Sequence, residues 1–163
     1  MDRERRSALV DPYYLGMMKL NGLDADEPLL RSVAASGRTT SGAEVVALLR
    51  DAWRERVMGA WFALFHDERD VGQALARSLE TATGSLTAPP LAVAAVVVLG
   101  PAARDPLAGY AVEDAAHDWG SCGFAAAALA HLDVASPACQ PTDDDRQAFA
   151  GLLAVARSLT SRP

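Results

Sequence analysis

The stretch DAWRERVMGAWFALF, residues 51–65, decides the fold. Trp53, Val57, Ala60, Trp61, Leu64 and Phe65 follow one another at steps of four, three, one, three and one, the repeat of a helix with a single apolar face. Asp51 stands where an N-cap belongs, and Arg54, Glu55 and Arg56 occupy flanks that can face water. Beyond the polar residues 66–70 a second stripe appears, Val71, Ala74, Leu75, Ser78 and Leu79, with Gln73, Arg77 and Glu80 on its wet side. Two amphipathic helices joined by a short polar turn make an antiparallel hairpin.

Toward the C-terminus the pattern repeats. Thr87-Ala88-Pro89-Pro90 reads as a helix start, and Leu91 to Leu99 is apolar on every side, as a central helix buried all round must be. A buried strand is the alternative there, because Val96, Val97 and Val98 suit either state. Gly100 and Pro101 stop this segment, and Asp105 with Pro106 opens a short partner. Asp118 is expected to cap a helix carrying Trp119, Cys122, Ala126 and Leu129. Thr142, with Asp143, Asp144 and Asp145 in the first turn, caps a last stripe of Phe149, Leu152, Leu153, Ala156 and Leu159.

Upstream, Asp11-Pro12 starts a helix that Asn21 and Gly22 close. Asp26-Glu27-Pro28 opens another that ends at Ser36-Gly37, and Ser41 stands three residues before Glu44, the spacing of a capping box. The expected architecture is one all-α domain over residues 1–163. Residues 1–50 form N-terminal capping helices, and residues 51–159 form three antiparallel helix pairs stacked as a short HEAT-like α-solenoid.

Set side by side, the segments beginning near Trp53, Pro90 and Trp119 form a degenerate repeat of roughly 30 to 36 residues, the range of helical solenoid units. The runs Ala60 to Leu64, Ala94 to Pro101 and Ala125 to Leu129 resemble the first helices of HEAT-like repeats of the phycobilisome-lyase type. The segments Trp53 to Phe62, Gly84 to Pro90 and Trp119 to Phe124 are similar to those of a family of small actinobacterial proteins with no assigned activity. Both resemblances imply a bacterial all-α protein and supply no mechanism.

Charge narrows the function. With 15 basic against 21 acidic residues the net charge is -6, and Lys19 is the one lysine, so the basic face that binds phosphate backbones is missing. No apolar run reaches the ~20 residues that span a bilayer, and no export signal shows in the opening residues, so a cytoplasmic protein without membrane contact is expected. In that reducing setting Cys122 and Cys139 are expected as free, buried thiols. His117, Cys122 and His131 would lie about 140° and 180° apart around one helix, which no single metal ion can collect, so neither metal nor cofactor is predicted.

The candidate site is an edge where acids meet tryptophans at two helix starts: Trp53, Arg54 and Glu55 in one pair, His117, Asp118 and Trp119 in another. Free N–H groups at helix starts and flat indole surfaces could hold an anionic or peptide ligand. The expected function is a non-enzymatic helical-repeat module, of the adaptor or immunity type, that binds another protein. The alternative is a small-molecule-binding or lyase-like enzyme using the same edge.

Overall fold

A computed structural model describes residues 1–162, and every regular element among them is helical. In chain order these are α1 (Arg3–Val10), α2 (Tyr14–Met17), α3 (Glu27–Thr39), α4 (Gly42–Leu49), α5 (Trp53–Ala63), α6 (Arg69–Glu80), α7 (Ala88–Leu99), α8 (Arg104–His117), α9 (Cys122–His131) and α10 (Asp143–Ser161). Single 3-10 turns cover Asn21–Asp24 and Gly100–Ala103. The all-α class is therefore established, and Leu91 to Leu99 belongs to a helix rather than a strand.

The helices form three layers. The middle row is α5, α7 and α9, with α5 against α7 and α7 against α9. On one side lie α4, α6 and α8, each paired with the helix that follows it: α4 with α5, α6 with α7, α8 with α9. On the other side α10 lies over α7 and α9, α3 lies over α5, and α10 and α3 touch. The hairpins thus fall one helix earlier than expected, since α7 turns away from α8 at Gly100 (φ +54°, ψ -128°) and pairs backward with α6.

This layering accounts for the sequence pattern. Helices covered on both sides must be apolar all round, and in α7 every residue from Ala88 to Val96 is buried, as is every residue of α9 from Phe124 to Leu129. The outer helices are one-sided: α6 buries Val71, Ala74, Leu75, Ser78 and Leu79, and α10 buries Phe149, Leu152, Leu153, Ala156 and Leu159. The helical run Ala88–His117, at 30 residues, is long and apolar enough to cross a bilayer by composition, but half of its most apolar window is buried inside the protein.

Several starts follow the sequence. Asp26 accepts the Leu29 N–H at 2.9 Å, and capping boxes close at Ser41 with Glu44 and at Thr142 with Asp145. Others differ. The first helix begins at Arg3, capped by Asp2, because Arg5 and Arg6 reach Glu44 at 2.8 Å and Asp51 at 2.9 Å and hold it against the α4–α5 hairpin. Helix α3 runs through Ser36 and Gly37 to Thr39, and a methyl group on Gly37 would strike the Phe65 ring, so glycine there permits a close approach rather than an end. Trp61, fully buried, donates its indole N–H to the Met17 carbonyl at 2.9 Å and pins the N-terminal segment to α5.

The starts of α5, α7 and α9 gather at one end of the molecule. Arg56 donates to the Thr81 carbonyl at 3.2 Å, the Lys19 N–H to Leu86 at 3.1 Å, and the Tyr110 hydroxyl lies 3.2 Å from the Gly84 carbonyl. Helix α10 begins at the same end, for a side chain on Gly123 would strike Asp145, and Phe149 packs edge-on against Phe124 with ring centres 5.6 Å apart. Parallel α9 and α10 need a returning connection, and residues 133–141 supply it. That return places Cys139 beside Cys122, and the two form a disulfide with Cα atoms 6.4 Å apart. The expected free thiols are thus overturned.

Candidate functional site

The helix-start edge exists, but its two halves stay apart. At α5 the Trp53 ring meets Tyr14 edge-on at 5.6 Å, and the Arg54 guanidinium stacks over both rings at 5.0 and 5.3 Å. Glu55 lines a separate shallow recess with Arg3, Arg6 and Asp11. At the end of α8, His117 stacks on Trp119 at 4.9 Å and 16°, and Trp119 in turn meets Tyr110 at 6.1 Å. Helix α7 stands between α5 and α9, and among the described residues no hydrogen bond, ion pair or ring contact joins the two groups.

The expected caps at this edge are corrected. Asp51 turns one carboxylate oxygen to Arg6 and the other to the N–H of Ala52 at 2.9 Å, and Ala52, which makes no side-chain hydrogen bond, is the N-cap residue of α5. Asp118 ends α8 in the left-handed conformation (φ 53°, ψ 46°) and caps nothing that follows. The group that serves the start of α9 is Asp114, which the sequence reading missed. Its carboxylate accepts the backbone N–H of Ser121 at 3.0 Å and of Cys122 at 2.8 Å, and the Tyr110 hydroxyl at 2.7 Å. Burial, and then the hydrogen bond to Asp114, push the Tyr110 hydroxyl far above its ordinary range, so it remains a donor. An anion arriving at the start of α9 would find its position filled by the protein's own carboxylate.

At the opposite end, where α5 stops, α6 starts and α7 stops, an open cleft of about 570 Å³ is present. Its apolar wall is Leu64, Ala76, Val97, Val98, Leu99 and Ala102, and its polar rim is His66, Asp67, Glu68, Arg69 and Gln73. Val97 is 38% exposed, although it belongs to the most apolar helix of the molecule. On the rim, His66 Nδ1 lies 3.1 Å from a Glu68 carboxylate oxygen. The backbone N–H of Glu68, followed by His66, holds that carboxyl below the usual carboxylate range. Nε2, on the other side of the ring, is buried without a partner.

No sequence signal announced this cleft. His66 stood in a loop, and the valines had read as interior residues of a core helix. Among the described residues no group of three or more histidine, cysteine or acidic side chains converges as metal ligands would. No protein family, curated protein or solved structure matches the chain.

Proposed function

We propose that the protein is a non-catalytic binding module of the helical-repeat type, HEAT-like in stacking successive hairpins, and that it holds another protein through the cleft between α6 and α7. One observation carries this reading: the last turn of the core helix emerges as an apolar surface, Val97 to Leu99, inside a cleft with a polar rim. Pockets of a few hundred cubic ångströms with an apolar floor and a few polar groups are where ligands and anchoring side chains seat. The resemblance to HEAT-like repeats points the same way, since stacked helix pairs serve widely as interaction surfaces. The enzyme alternative at the helix-start edge has no comparable support, because Asp114 occupies the anion position there.

The test is site-directed photo-crosslinking in native-host extract, with the reactive side chain at position 97 and, as control, at the exposed position 112 on α8. A discrete protein band from position 97 that is missing from position 112 is expected. Equal labelling from both, or none from position 97, overturns the reading.

A further inference from the structure

The connection between α9 and α10 is longer than its task. Helix α9 has ten residues and so spans about 15 Å. Residues 133–141, between the caps Leu132 and Thr142, can extend to about 30 Å, which leaves the returning strand roughly twofold slack. Slack chain takes one path only where something holds it. Val134 donates to Leu129 at 3.0 Å where the strand begins, and Ala138 and Cys139 donate only to Ser136 within the strand. From residue 135 to 141 no hydrogen bond to another element is present among the described residues, and Ala135, Pro137, Ala138 and Gln140 are exposed. Val134 packs against the core at the start of the strap, and beyond it the Cys122–Cys139 bond is what ties the strap to the body.

The seat of α10 does not depend on that bond. Phe149 packs on Phe124, four further apolar residues of α10 are buried, and the Thr142–Asp145 box caps the helix from its own residues. Both cysteines are half-buried, so the bond is not sealed in the core.

We propose that Cys122–Cys139 is a reversible redox latch: a dithiol opens it, the strap comes free beyond Val134, over residues 135–141, and the helical body stays folded. In the reaction a reductant thiolate attacks the Cys139 sulfur, the S–S bond breaks, and Cys122 leaves as a thiolate that takes up a proton. The reductant's second thiol then attacks the mixed disulfide, which releases Cys139 as a thiol and leaves the reductant oxidised. This latch is independent of the cleft reading, because the strap lies at α9 and contributes no residue to the cleft.

The test uses the full chain with dithiothreitol, without denaturant, and proteinase K as the probe of the strap. Expected are loss of the disulfide in the folded protein, an unchanged helical circular-dichroism signal, and at least a tenfold rise in cleavage confined to 135–141. Oxidised glutathione should reverse that rise. Cys139→Ser should behave like the reduced protein in both states. A bond that resists reduction until the protein unfolds, an unchanged cleavage rate, or loss of helical signal in both the reduced protein and Cys139→Ser would each overturn the latch.

Discussion

Tyr110 donates its hydroxyl proton to Asp114, one turn further along α8, at 2.7 Å, and both side chains are almost wholly buried. The same carboxylate closes the start of α9 through Ser121 and Cys122. One carboxyl group thus joins two helices across a left-handed turn. Removing it leaves the Ser121 and Cys122 N–H groups without an acceptor and the tyrosine hydroxyl with only the Gly84 carbonyl at 3.2 Å, whereas removing the tyrosine hydroxyl leaves the carboxylate with its backbone partners. Asp114→Ala should therefore lower unfolding stability by at least ~3 kcal/mol, and Tyr110→Phe by only ~1 kcal/mol. Urea denaturation of the two variants checks the ranking, which reverses if the tyrosine is the dominant member.

Glu44 gives the fold an acid-sensitive joint. The Arg5 hydrogen bond, and after it the Ser41 backbone N–H, draw its carboxyl from 4.5 down to about 2. A carboxyl lowered by folding stabilises the folded state fully above its unfolded value, and that contribution disappears as pH falls from about 4.5 through about 2. Arg5 is substantially exposed, so screening reduces the joint to ~1 kcal/mol. Glu44→Gln keeps the capping box and removes the charge. Wild type should lose more stability than Glu44→Gln between pH 5 and pH 2.5 in urea titrations, and parallel curves would refute the assignment.

Gly37 lies against the Phe65 ring, which also carries the Arg38 guanidinium at 5.3 Å. A methyl group added there must push the ring out of its place between α3 and the end of α5. Gly37→Ala should cost ~1 to 3 kcal/mol despite the gain in helix propensity, read as a fall in thermal midpoint. A rise in midpoint would mean that the ring swings away freely.

These sites show what the sequence discloses and what it does not. The stripes of α6 and α10, the capping box at Ser41, the cap at Thr142, and the all-round apolar character of α7 are local patterns, and each stands in the structure as read. Periodicity tells which face of a helix is apolar but not which helix covers it. The pairing of α6 with α7 rather than α7 with α8 was therefore hidden, and so was the cleft that the end of α7 shares with the start of α6. Asp114 escaped notice because it caps a helix seven and eight positions away, beyond the three-residue spacing that marks local caps. Cys122 and Cys139 meet only because α10 runs parallel to α9, a relation that no local spacing encodes.

The tryptophans and the cleft valine should separate structure from binding. Trp119 is held between His117 and Tyr110, and Trp53 between Tyr14 and Arg54, so each supports the end of a helix pair. Trp53→Ala and Trp119→Ala should each cost ~1 to 2 kcal/mol through lost ring contacts, with crosslinking from position 97 retained at temperatures below the melt. Val97→Lys should do the reverse. A positive charge in the last turn of α7 suits the helix dipole, and the lysine stem can cover the apolar wall, so stability should stay within ~1 kcal/mol of wild type. The partner that needs an apolar floor should be lost, read as competition by the unlabelled variant against crosslinking of the position-97 protein. If the tryptophan variants, still folded, abolish that crosslink while unlabelled Val97→Lys competes as well as wild type, the binding surface lies at the helix-start edge and not in the cleft.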